Sequence, residues 1–262
     1  MKRVTGRGGW GSLFVAGLLA GSALTAAAAG MSGAQVADRN AEARGGLQTW
    51  RSVNTLTMTG QIDVGGTKPV QLPFTLTMKR PHKSRFELRF NGQTSYQVFD
   101  GTQGWKVRPF LGRTEPEPYS PAELHSAAGT ADLDGPLIDY AAKGNRIDLV
   151  GTDSIDGHRA LQLKVTLKDH SERHVWVDAS TFLETKVEGD PRKLDGKLHT
   201  VSVYYRDYRK ESGVMIPHVI ETVVAGVKQV HRITIEHVTV NQPVDDALFA
   251  KPLPAATRVA AK

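Results

Sequence analysis

From Asn54 onward, apolar and polar side chains alternate with a period of two, and with one interruption they do so for most of the chain. TLTMTGQIDV, VQLPFTLTMKR and SRFELRF carry the pattern first. After a break it resumes in RIDLVG, RALQLKVTLK, RHVWVDA, FLETKVEG, KLHTVSVYYRDY, VMIPHVIETVV and VKQVHRITIEHVTVN. A period of two turns one face of a segment to the core and the other to water, which defines strands. Short polar turns separate the runs at Asn91-Gly92, Asp156-Gly157, Asp169 to Glu172 and Asp195-Gly196, and hairpin-length connections make neighbours antiparallel. The expectation is a mainly β chain in which about eleven to twelve strands form an antiparallel meander. A sheet of that size must curl or close.

Two stretches depart from the alternation. AQVADRNAEARGGLQTWRSV, Ala34 to Val53, places Val36, Ala43, Leu47 and Trp50 at helical spacing, as one helix or two hinged at Gly45-Gly46. The interruption, FLGRTEPEPYSPAELHSAAG, is proline-rich and then helical: Ser120 supplies an N-cap, Pro121 the first helical position and Glu123 a capping-box carboxylate. ADLDGPLIDYAAKGN, Ala131 to Asn145, is expected to add a second short helix stopped by Gly144. Here the chain leaves the sheet and crosses something.

The first residues read as an export signal. Lys2, Arg3 and Arg7 precede LFVAGLLAGSAL and then TAAAAG, a basic region, an apolar region and small residues in an A-x-A pattern. The apolar run falls short of the roughly 20 residues a membrane span needs. A secretory signal peptide over 1–29 is therefore expected, leaving one domain over 30–262 in the periplasm of a Gram-negative cell, soluble after cleavage. The formal charge of +6 includes three cations of this leader, so the mature chain carries 6 − 3 = +3. No dense Lys/Arg cluster interleaves with aromatics, and nucleic acid is not an expected partner. The chain has no cysteine, so an exported form must rest on a core rather than disulfides.

Candidate chemistry is sparse. In YQVFDGTQGWKVRP, Asp100-Gly101 and Gly104 suit a hairpin loop, and Asp100 reads as a turn residue bonded to its own backbone. Of nine histidines, His170/His174 and His231/His237 come nearest to ligand spacing, but three converging ligands are lacking, and neither a metal nor a cofactor is expected. The pairs Glu115/Glu117 and Asp245-Asp246 are expected in a proline-rich loop and at a helix start, and no hydrolase or P-loop motif occurs. An enzyme is not the expectation. Function is expected on the apolar strand faces. Leu56 and Met58, then Phe74, Leu76 and Met78, then Phe86, Leu88 and Phe90 make one alternating set, continued by Tyr96, Val98, Trp105 and Val107. Leu161, Leu163 and Val165 extend it in the second half. In a packed sandwich these residues would be core; in a single curled sheet they would line a ligand cavity.

Three short motifs add a family resemblance. Lys79-Arg80-Pro81 at a strand end, Asp100-Gly101 before Trp105, and Phe249 before Pro252 occur in the order found in the LolA/LolB lipoprotein carriers and the broader outer-membrane lipoprotein-sorting group, which the chain resembles over nearly its whole mature length. The resemblance implies an incomplete antiparallel barrel with an apolar cavity for acyl chains. Helical lid segments fall near 35–50 and 120–143. It implies a monomeric carrier of lipid or acylated lipoprotein, with an inner- or outer-membrane transport partner. It also gives Arg80 a role as the latch that bonds lid carbonyls until cargo displaces it; on the residues alone, Arg80 is equally a solvated strand-end charge. Two departures bear on cargo: strands after Gly151 are extended, and Phe86 stands where founding members tend to carry tryptophan. The rival expectation is an envelope-state sensor or interaction module on the same scaffold.

Overall fold

The computed structural model of the chain describes residues 30–63, 70–194 and 196–254. The expected leader and the turn residue Asp195 lie outside the described residues.

Among the described residues, thirteen strands form a single unclosed sheet in which every neighbouring pair is antiparallel. Strands β1 (Thr55–Asp63), β2 (Gln71–Lys79), β3 (Lys83–Phe90), β4 (Gln93–Phe99), β5 (Gly104–Arg108) and β6 (Arg113–Pro118) step outward to one edge. The chain then crosses to the opposite edge. From there β7 (Arg146–Ile155), β8 (His158–Thr166), β9 (Glu172–Asp178), β10 (Glu184–Leu194), β11 (Lys197–Glu211), β12 (Val214–Val224) and β13 (Val230–Val240) step back until β13 pairs with β1. Strand β6 comes from the stretch read as a proline-rich loop. It holds Pro116 and Pro118, which an edge strand accepts because one side of it needs no ladder partner.

Three helices serve this sheet: α1 (Gly33–Ala43), α2 (Leu47–Ser52) and α3 (Pro121–Thr130). The first two are hinged where the sequence places Gly45 and Gly46, at φ +113 and +91, values a side chain would resist. Both α1 and α3 begin with full capping boxes, Ser32 with Gln35 and Ser120 with Glu123. The second short helix expected over Ala131–Asn145 does not form. This stretch is a run of turns, broken by left-handed residues at Gly135, Asp139 and Gly144, and Pro136 has no N–H to donate to a helical ladder.

One face of the sheet lies under the helices, and register decides which side chains reach it. On β1 and β2, Leu56 pairs with Met78 and Met58 with Leu76; Phe74, Leu76 and Met78 continue across to Leu88, Phe86 and Ser84 of β3. These apolar residues, with Trp50, Val53, Val214, Ile216 and Ile235, make the main core. The Phe74 and Phe86 rings stack at 5.8 Å.

The expected set breaks at Asn91-Gly92. Phe90 pairs with Gln93 across this two-residue turn, so Phe86 faces with Gln97, while Tyr96 faces with Glu87 and Val98 with Arg85. Trp105 and Val107 pair with Val98 and Tyr96. Tyr96, Val98, Trp105 and Val107 therefore lie on the outer face, a correction to the single alternating set: a two-residue turn exchanges odd and even positions between faces. The C-terminal 3-10 turn, Asp246–Phe249, crosses that outer face. Arg85 Nη1 donates to Leu248 O at 3.1 Å, and Lys79 and Lys83 pair with Asp246. Val98, Val107 and Phe249 are all buried there.

Candidate functional site: a lidded cavity on the inner face

Helix α2 and the turns over 131–136 stand over the middle of the inner face, above a half-open cavity of about 440 Å³. Its floor is apolar: Leu56, Met58, Leu76 and Met78 from β1 and β2, with Val201, Val203, Ile216, Ile220 and Ile235 from β11 to β13. Alternation alone puts these side chains on one face, and branched and flexible side chains leave a pliant surface. The other sequence candidates are placed differently. Phe74, Phe86 and Leu88 share the face but pack into the core beside the cavity. Phe90 is at the far end of its strand, exposed and edge-on to Phe110 at 6.1 Å. Leu161, Leu163 and Val165 are fully buried and do not line the cavity. Helix α1 lies against β7 beside them, so closely that a Cβ on Gly33 would sit 2.5 Å from Ile147 O.

The roof is polar and crosslinked. Arg80, at the end of β2, donates from Nε to Val53 O at 2.7 Å, and from Nη2 to Trp50 O at 2.9 Å and Asp134 Oδ2 at 2.5 Å. One planar guanidinium thus joins the C-terminal end of α2 to the turn that follows α3. The Asp134 carboxylate is 3% exposed. Its other oxygen takes Lys143, which also binds Asp132 and Gly135 O. Burial pushes the Asp134 carboxyl up, but Lys143 and Arg80 together outweigh it and hold the group below the ordinary aspartate range. Burial wins at neighbouring Asp132, which is raised despite Lys143.

Arg44 ties the roof to the sheet. Its carbonyl accepts from Met215 N and Trp50 Nε1, both at 2.9 Å. Its guanidinium stacks 4.4 Å from the centre of the Trp50 ring, donates to Asp134 O at 2.8 Å and lies 3.5 Å from Glu184. Sequence reading missed Arg44, Asp134, Lys143 and Glu184. The signal for Arg44 was its place just before the Gly45-Gly46 hinge; the others depend on contacts 90 or more residues apart or across a turn. Tyr205 and Tyr208 also line the cavity. Their phenols are ringed by protein, and burial followed by the Glu184 charge pushes the first up to about 12 and raises the second as well.

The remaining candidates serve local structure. Asp100 Oδ1 accepts from Thr102 N at 2.8 Å and Gln103 N at 2.7 Å, the self-bonded turn its sequence suggests. Glu117 pairs with Arg108 and Arg113, and Asp245 caps the C-terminal 3-10 turn. Among the described residues no group of three or more His, Cys, Asp or Glu side chains could hold a metal ion, and no helix is long and apolar enough to cross a membrane.

This single large antiparallel sheet, unclosed and lidded by short helices, is similar to several solved structures. It matches a LolA superfamily protein from Nitrosomonas europaea with TM-score 0.57 and 16% identity, covering 84% of this chain and 98% of that one. A lipoprotein-sorting protein domain from Vibrio parahaemolyticus gives 0.56 and 14%, covering 84% and 96%. A DUF1329 family protein from Desulfovibrio piger gives 0.56 and 15%, covering 83% and 95%. No family model and no curated protein matches the sequence. At such identities the likeness is one of fold: the chain has the LolA-like fold.

Proposed function

We propose that the chain is a periplasmic carrier, without catalytic activity, that holds the acyl chains of a lipid, lipoprotein or similar amphiphile beneath the α2 roof. The observation that supports this reading is the cavity itself. Its volume of about 440 Å³ falls within the ~300–1,000 Å³ of small-molecule sites, and its floor offers apolar contact. Burying acyl methylenes at about 0.8 kcal/mol each supplies affinity without polar recognition, as a carrier of varied cargo requires. Arg80 acts as the latch in this reading. It holds the roof by bonds a bound chain can displace, whereas a roof sealed by apolar packing alone would have to exchange one apolar contact for another. The export signal read from residues 1–29 supports the periplasmic assignment.

The test is native mass spectrometry of protein purified from the periplasm, followed by loading of stripped protein with an environment-sensitive apolar fluorophore. Lipid should co-purify, and long-chain lipids should displace the fluorophore. Protein that carries no lipid and binds none would refute the reading.

A further inference from the structure

A second recess of about 520 Å³ adjoins the cavity along α3. The two spaces share Gly129, Asp132, Pro136 and Arg173 as walls, so these residues frame the passage between them. The cavity floor is apolar, whereas the recess is lined by His82, His125, Lys143, Lys168 and Arg173 against Asp132 and Asp169.

The buried and half-buried charges around these spaces are matched with one exception, whereas Lys168, Asp190 and Arg192 are exposed. Arg44 faces Glu184, Arg80 is held by Asp134, and Lys143 by Asp132 and Asp134. Asp169 is occupied by the backbone N–H and hydroxyl of Ser171. Arg173, half-buried on β9, has no hydrogen-bond or ion-pair partner among the described residues, although its charge reaches the cavity phenol of Tyr205. Its guanidinium lies against the backbone of α3 at Gly129, where a Cβ would come within 3.3 Å of its Nη2. Glycine weakens a helix interior relative to alanine, yet here it leaves the room that seats the guanidinium in the passage. A half-buried guanidinium brings five donors to this place, and charge-assisted bonds to an oxyanion are the strongest it can make.

We propose that the cavity takes an anionic amphiphile, its tail on the apolar floor and its acidic head group held by Arg173 in the passage to the cationic recess. This deepens the carrier reading and rests on it. At the Arg44 end the guanidinium is already met by Glu184, which leaves Arg173 as the half-buried cation of these spaces for a head group. Carboxylate and phosphate head groups share the chemistry Arg173 recognises, a planar or tetrahedral oxyanion that accepts two donors at once.

The experiment is displacement of a bound apolar fluorophore by hexadecanoate, by a lysophosphatidate of equal chain length and by hexadecanol, with the full mature chain, Arg173→Met and Arg173→Lys. The unsubstituted protein should prefer at least one acid over the alcohol. Arg173→Met should lose about tenfold to a hundredfold in affinity for that acid while its affinity for the alcohol is unchanged, the loss expected when a charged hydrogen bond goes. Arg173→Lys should keep part of the preference. Unchanged alcohol binding doubles as proof that the variant is folded. A preference for hexadecanoate alone identifies a fatty acid as the source, and a preference for lysophosphatidate alone a phospholipid. No preference for either acid, or a preference that survives Arg173→Met, overturns the proposal and leaves the carrier reading standing. Failure of all three ligands to displace the fluorophore overturns both.

Discussion

Arg80→Leu should open the roof without unfolding the sheet. The guanidinium makes three hydrogen bonds, two to the carbonyls of Val53 and Trp50 and one to the carboxylate of Asp134. Hydrogen bonds to charged groups contribute about 1.5–3 kcal/mol each, and breaking a buried ion pair costs about 3–5. The full sum does not apply. Arg80 is 28% exposed, Trp50 O still accepts from Val53 N, and Asp134 keeps Lys143. About 3 kcal/mol is therefore lost, which shifts roof opening by roughly a hundredfold. Amide hydrogen exchange followed residue by residue reads this directly. Protected amides of 47–53 and 131–144 should exchange about a hundredfold faster, while those of β11 and β12 keep their protection. Arg80→Lys should fall between, because one ammonium cannot span all three acceptors. Equal acceleration everywhere would make Arg80 a brace of the whole fold, and unchanged roof exchange would make it a solvated charge; either result refutes the latch.

Trp50→Ala should cost about 3–5 kcal/mol in urea unfolding, since the ring is fully buried and its Nε1 donates to Arg44 O. Asp100→Asn should stay within about 0.5 kcal/mol of the unsubstituted protein by the same measurement, because an amide oxygen can accept the two turn N–H groups equally well. Acid should loosen the roof. The Asp134 carboxyl, held low by Lys143 and Arg80 against burial, stabilises the closed roof fully above the ordinary aspartate value of about 3.9, and that contribution is lost as pH falls through its depressed folded value. Roof exchange, corrected for intrinsic rates, should rise below about pH 4, and Asp134→Asn should reduce that dependence, leaving the part due to Asp139, which Arg51 of α2 holds low.

Alternation made the strands legible because a half-buried strand must show a period of two; the apolar stripe of Val36, Ala43, Leu47 and Trp50 made the first helical stretch legible, and Ser120 announced the start of α3. The order of the sheet was less so. A meander describes each half, but the pairing of β1 with β13 joins residues such as Leu56 and Val240, for which no local pattern speaks. The face assignment failed at Tyr96 and Trp105 for a countable reason, the odd register across Asn91-Gly92, and counting through the turn would have caught it. The site divides in the same way. The floor residues of β1 and β2 follow from periodicity, whereas the roof depends on Arg44, Asp134 and Lys143, polar residues in loops that look solvated until the chain crosses the sheet.

Roof and cargo compete for the same closed state, and their sizes can be compared. If the latch holds about 3 kcal/mol and each buried methylene returns about 0.8, roughly four methylenes offset it. Shorter chains cannot open the roof to any extent; longer ones gain about fourfold in affinity per added methylene. A homologous series of neutral alkyl alcohols, measured by fluorophore displacement, should thus give a straight line of log affinity against chain length until the cavity of about 440 Å³ is full. Arg80→Leu should give a parallel line, displaced as if every ligand had become about four methylenes longer. The slope belongs to the floor of Leu56, Met58, Leu76 and Met78, and the offset to the guanidinium that reaches Val53, Trp50 and Asp134. A variant line that coincides with the first would show that cargo enters without breaking the latch. A line of different slope would show that Arg80 acts on the floor as well as the roof, and floor and latch could no longer be treated as separate devices.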